Sequence, residues 1–161
     1  MSVHDVAIHE DAARRIHGVL LHFLDESNAM DALLIDRGGQ LLAQGGGERT
    51  LDTVSLSALA AGAFSSTAAM AHMIGEPEFT MLFHQGVREN IHVAAVDDNA
   101  ILLAIFDSRT TVGMVRLFAR EAIAAMSTIL AEGRARPRRV GELQAPLGAD
   151  DGGPLFRERP A

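Results

Sequence analysis

From Thr53 to Gly75 the chain carries no Asp, Glu, Lys or Arg, and this run has the length of a long helix. At ~100° per residue, Leu56, Leu59, Ala60, Ala63, Thr67, Met70, Ala71 and Ile74 fall on one stripe, which reads as the face turned to a core. The opposite stripe holds Ala58, Ala61, Gly62, Ser65, Ala68, Ala69 and His72. A helix that lies on a sheet and faces water carries charge there. This one carries small, uncharged residues, which let another backbone come close, so the stripe reads as a contact surface. The competing reading is an Ala-rich helix buried on every side within its own domain.

Composition narrows the function classes. The 161 residues suit one domain large enough to bury most of its apolar surface. There is no cysteine, which excludes disulfides, thiolate zinc sites and a cysteine nucleophile and fits the cytosol. The N-terminus lacks a basic start followed by an apolar run, so no signal peptide is expected. The Ser, Thr and Gly within residues 53 to 75 argue against a membrane span. A formal net charge of −7 argues against non-specific nucleic-acid binding. With no Trp or Tyr and only seven Phe, stacking platforms for bases are not expected either.

Taken in order, Ile8, Ala12, Ile16, Val19, Leu20 and Phe23 repeat at helical spacing, with Arg14 and Arg15 beside the stripe, and Ser27-Asn28 ends that helix. Ala32 to Ile35 reads as a strand, Asp36-Arg37-Gly38-Gly39 as a tight turn, and Gln40 to Ala43 as the second strand of a hairpin. Gly45-Gly46-Gly47-Glu48-Arg49 is a loop, and Asp52 or Thr53 is placed to cap the long helix. Beyond Gly75-Glu76-Pro77 the period becomes two. Phe79, Met81 and Phe83 alternate with Thr80, Leu82 and His84, a strand with one apolar face. Residues 91 to 96 and 100 to 106 follow as strands; the latter has no polar residue and reads as central. A last helix carries Val112, Val115, Phe118, Ala122, Met126, Ile129 and Leu130. The predicted class is α+β, in the order α-β-β-α-β-β-β-α. It implies a five-stranded antiparallel sheet, with the long helix on one face and the terminal helices on the other. Residues 1 to 132 form the expected domain. Residues 133 to 161, rich in Gly, Pro and charge, read as a mostly disordered tail, with Leu155-Phe156 as a docking pair or a chance one.

A search for chemistry ends with no catalytic set. Gly45-Gly46-Gly47 lies between strand and helix, but no Lys-Ser or Lys-Thr follows it and Glu48 would repel phosphate. His4, His9, His17 and His22 have no metal-ligand spacing; His84 and His92, on adjacent strands, are expected to form a sheet-surface pair rather than a zinc site. No G-x-S-x-G elbow marks a nucleophile. Arg109 precedes a helix, where a donated arginine finger is one reading and a turn ordered by Asp107 and capped by Ser108, Thr110 or Thr111 is the other. No cofactor, metal or catalytic residue is expected.

The element order, with LDTVSLSALAAGAF, FTMLFHQGVRENIHVAAV and ILLAIFDSRTTVGMVRLFAREA, resembles the roadblock family over residues 8 to 132, and within it the bacterial activators of a Ras-like GTPase. The resemblance implies a homodimer in which the strand of residues 79 to 84 pairs across a two-fold axis and sets the long helices side by side. Ala58, Gly62, Phe79, Met81, Phe83 and His84 are then the expected dimer contacts. It further implies that one GTP-bound small GTPase docks on the helix pair, touching Ala61, Ser65, Ala68 and Ala69, with a second patch of Arg14, Arg15 and Arg120. Such activators reposition the GTPase's own catalytic residues, and they serve cell polarity or motility from the cytoplasm or a cell pole. Relatives also use a C-terminal segment in nucleotide exchange, for which only residues 153 to 156 stand available here. Two other functions compete: a scaffold that binds a GTPase or kinase without changing its turnover, and a small-molecule sensor with a pocket between sheet and helix. Close packing by Ala60, Ala63 and Ala71 argues against the sensor.

Overall fold

A computed structural model describes residues 9–135. Helix α1, Glu10–Ser27, ends where Asn28 turns left-handed at φ 57° and donates its backbone N–H to the Leu24 carbonyl, an end that Asn tolerates better than most residues. Strands β1, Asp31–Asp36, and β2, Leu41–Gly45, form the first hairpin. At its tip the Gln40 N–H donates to Asp36 Oδ1 at 2.9 Å. Gly39, at φ +95°, carries the chain where a Cβ would come within 3.0 Å of the Ala58 backbone, so the turn sits directly against the next helix. That helix, α2, spans Thr53–Met73 and is capped by Asp52, whose carboxylate accepts the Ser55 N–H at 3.1 Å. Strands β3, Met81–Gln85, β4, Asn90–Ala95, and β5, Ala100–Phe106, follow, and α3, Val112–Ala135, closes the order.

The five strands are all antiparallel, in the order β2-β1-β5-β4-β3. The all-apolar strand, β5, lies at the centre and is buried along its whole length. Because side chains alternate across a strand, its residues divide between two cores. Leu102, Ala104 and Phe106 join Ile16, Leu20 and Phe23 of α1 and Val115, Ala119 and Met126 of α3. Ile101, Leu103 and Ile105 join Leu33, Ile35 and Val93 beneath Ala60, Ala61 and Phe64 of α2. Helix α2 thus covers one face of the sheet, and α1 with α3 the other.

Four expectations are corrected. The buried stripe of α2 runs through Ser57, Ala60, Ala61 and Phe64, roughly 90° around the helix from the stripe read in the sequence. Leu59, Met70 and Ile74, expected inside, are 71%, 59% and 81% exposed. Ala61, expected on the outward platform, is in the core. The physical cause is that α2 is apolar around its whole circumference, so periodicity does not fix its phase; the only phenyl ring in it, Phe64, does. Second, β3 begins at Met81, and Phe79 lies before it, turned onto Phe64 with ring centroids 4.9 Å apart. Third, His84 and His92 do not face each other: His84 stands opposite Ile91, and His92 opposite Phe83, one residue out of step and therefore on the other face of the sheet. Fourth, α2 is, by length and composition, apolar enough to cross a membrane, because its Ser, Thr and Gly are outweighed by Ala, Leu and Met. Its inner stripe nevertheless packs on the sheet.

Helix α3 continues through Gly133 to Ala135. The remaining tail, with Leu155 and Phe156, lies outside the described residues.

Candidate partner-binding surface

The phase of α2 decides what the protein shows to a partner. With Phe64 anchored between the sheet and Phe79, and with the Arg37 guanidinium 5.1 Å over the Phe64 ring, the helix cannot roll. Turned outward are Leu59, Met70 and Met73, interleaved with Gly62, Ala63, Ser66 and Ala69, all exposed. Ile74 at the end extends this apolar surface, and Val54 at the start is exposed on its flank. Ser65 and Ala58 flank it, also exposed, while Ala68 is half-buried against the domain. Large apolar side chains separated by small ones make a surface with knobs and gaps, suited to packing another element. No Asp, Glu, Lys or Arg interrupts it within α2.

Beside α2, strand β3 is an end of the sheet, with no strand beyond it among the described residues. A soluble protein ordinarily protects such an edge with charge, a bulge or a covering element; Met81, Leu82 and Phe83 provide no charge here. Register places Leu82 and His84 on the α2 side of the sheet, opposite Val93 and Ile91. Met81 and Phe83 are on the α3 side, where Phe83 stacks on Phe106 at 6.1 Å and is still partly exposed. Of the expected dimer contacts, the structure brings Ala58, Gly62, Met81, Phe83 and His84 to the outer surface or to this edge. Phe79 is placed half-buried beneath.

The three arginines of the second expected patch are not together. Arg14 is paired with Asp11. Arg15 donates to Glu132 at 2.6 Å, twelve residues along α3 from Arg120, or about 18 Å at the helical rise. Arg15 lines the groove between α1 and α3, whereas Arg120 lies on the side of α3 turned to β3.

The loop features resolve as architecture. Gly46, at φ +91°, passes where a Cβ would meet the Met30 carbonyl oxygen at 2.6 Å. That tight passage lets Arg49 reach back to Asp31 at 3.2 Å and on to Glu89 at 2.6 Å. Arg109 is held by Asp107, 3.0 Å from its Nε, and this contact keeps the Asp107 carboxyl below the usual carboxylate range. Thr111 supplies the cap of α3, its Oγ1 accepting the Met114 N–H at 3.2 Å. Among the described residues no cluster of His, Asp and Glu has the makings of a metal site.

A five-stranded antiparallel sheet between one long helix and a helix pair, with an uncovered edge and an uncharged helix face beside it, defines a small α+β association module. The Roadblock/LC7 domain matches residues 16–106, and the chain belongs to that family. Among solved structures it is similar to Myxococcus xanthus MglB, at 33% identity over 73% of this chain and 95% of that one, with a TM-score of 0.70. It is similar too to the gliding protein MglB from Thermus thermophilus, at 31% identity over 80% and 97%, with a TM-score of 0.75. A further structure, described as MglB with a tetrameric arrangement, matches at 30% identity over 80% and 97%, with a TM-score of 0.76. No curated protein is significantly similar to the chain in sequence.

The residues that sequence reasoning missed are Leu59, Met70, Met73 and Ile74, the large apolar part of the surface. The signal for them was Phe64: the bulkiest side chain in an all-round apolar helix belongs inside, and placing it there puts these four outside.

Proposed function

We propose that this chain is a homodimeric regulator of a small Ras-like GTPase of the MglA type. It binds the GTP-loaded form and speeds hydrolysis by repositioning the GTPase's own catalytic residues, in the service of cell polarity or motility. It works in the cytoplasm, concentrated at a cell pole. The observation that carries this reading is the outward face of α2, apolar and uncharged beside an uncovered sheet edge, in a chain about a third identical to MglB. Two copies joined along β3 would set two such faces together as one platform. Ser65 and Ala69 are exposed on it and take the contact role, with Ala68 at its margin; Ala61, buried, supports the helix from beneath. Selective contact with one conformation of a partner is enough to shift that partner's catalytic equilibrium, so the activator needs no catalytic residue of its own. The exposed Arg109 is tied to Asp107, which supports a role in the turn rather than as a donated finger.

Single-turnover GTP hydrolysis by the cognate GTPase, with and without this protein, tests the proposal. Stimulation that disappears in a folded Ser65→Arg/Ala69→Arg variant is the expected result. Binding without a change in rate would make the chain a scaffold; stimulation undiminished by the double substitution would place the contact elsewhere.

A further inference from the structure

His92 is the only fully buried ionisable ring among the described residues, and neither of its nitrogens has a hydrogen-bond partner. A neutral imidazole carries one N–H donor and one acceptor lone pair, and both are closed off from water here, an arrangement that native structures avoid. The ring forms part of the wall of a cavity of about 160 Å³ between β3, β4 and the first half of α3. Its other walls are Thr80, Met81, Ala94, Ala119 and Ile123, and its charged members are Arg116 and Arg120.

These two arginines are exposed, and neither has an ion-pair partner among the described residues. They are four apart on α3, where like charges repel one another. Arg116 also acts on His92, holding the imidazole below its ordinary pKa together with the larger effect of burial. The groups facing His92 are Arg116 and Arg120 from α3, Thr80, Met81 and Phe83 on the β3 side, Ala94 along β4 and Ala104 from β5. None is a carboxylate. The protein carries −7 overall, and yet this corner holds two cationic groups with no ion-pair partner among the described residues.

The geometry points to a binding site for one small oxyanion group, a carboxylate or a phosphate, held between Arg116 and Arg120 with His92 as the wall behind it. The volume sets the size of the group, since pockets for drug-sized ligands start at ~300 Å³. Guanidinium groups suit such oxygens because they offer paired, planar donors. A bound anion takes the unused imidazole N–H and offsets the Arg116 charge, so it favours a second proton on the ring. Binding is therefore tighter at lower pH, and a bound anion raises the His92 pKa.

The test uses the full chain alone, with no GTPase present, so it succeeds or fails independently of the function proposed above. The ring resonances of His92 are followed by NMR as acetate, inorganic phosphate or a doubly capped glutamate is added at constant ionic strength. A saturable shift of His92, with its titration moved to higher pH, is expected for at least one probe. Preference for the capped glutamate would assign the site to a protein side chain, and preference for acetate or phosphate to a free anion. Arg116→Gln and Arg120→Gln should each weaken binding roughly 10-fold or more, the scale of a lost hydrogen bond to a charged group. Arg88→Gln, at an exposed arginine outside the cavity, should leave it unchanged. No saturable response to any probe up to tens of millimolar, or a response that both Arg substitutions leave intact, overturns the proposal.

Discussion

Asp31 opens β1 with its side chain 2% exposed, and Arg49, from the glycine loop, is the only partner of that carboxylate among the described residues. A buried carboxylate is tolerable only while a cation answers it. Arg49→Ala should therefore lower the unfolding free energy by about 1–3 kcal/mol, the cost of an orphaned buried polar group. Asp31→Asn in the same chain should restore part of the loss, because the stranded charge is then gone; chemical denaturation of the two variants measures both. His92 makes a separate prediction. The folded ring resists protonation relative to its ordinary value of 6.5, so the unfolded chain takes up the proton first. The native state is then fully stable above that pH and loses stability as pH falls below it, by at most ~1.4 kcal/mol per pH unit for one proton. Denaturant midpoints measured between neutrality and mild acid should show this slope, and His92→Leu should flatten it. At neutral pH the variant should be no less stable, since it removes two unsatisfied nitrogens.

At the scale of elements, α2 separates what sequence can reveal from what it cannot. Strands declare themselves through period two and through turn residues: Asp36-Arg37-Gly38-Gly39 and Asp97-Asp98-Asn99 bracket β1, β2, β4 and β5 within a residue or two. The apolar run of residues 100 to 106 announced a central strand because only a doubly covered strand tolerates it. Helix α2 offered no such contrast. Its length and its cap at Asp52 were legible, but its inward face was not, since Leu, Met and Ala occur all round it. The packing of Phe64 on Phe79, a residue fifteen positions away, settles the phase, and no local pattern encodes that contact. The outward residues of α2 were legible only in part for the same reason. Gly62, Ser65 and Ala69 are outward, while the apolar knobs between them were assigned to the core. The consequence is measurable. Phe64→Ala should cost about 3–5 kcal/mol of stability, whereas Leu59→Ala should stay within about 0.5 kcal/mol in a monomeric background. Equal losses would mean that the helix faces the other way.

For the whole molecule, an uncovered β3 edge beside an apolar helix face is a surface that a lone protomer leaves wet. The proposed homodimer pairs the β3 edge and brings the two helix faces together, with Gly62 where two copies of α2 approach, and the rest of the joined face is left for the GTPase. Sedimentation should then find a particle of about twice the 17.2 kDa chain, and the unfolding midpoint should rise with protein concentration, as mass action requires of a dimer. Gly62→Arg separates association from folding. A Cβ at Gly62 meets nothing within 4 Å of its own chain, and Arg favours a helix interior over Gly by up to ~1 kcal/mol. Within one protomer the substitution is therefore neutral or stabilising. In the dimer it forces two guanidinium groups into the place where the helices meet. The expected outcome is a folded monomer whose midpoint no longer depends on concentration. A variant that still sediments as a dimer would show that the helices do not pair through Gly62. It would also leave the platform proposed for the GTPase without the second helix on which its shape depends.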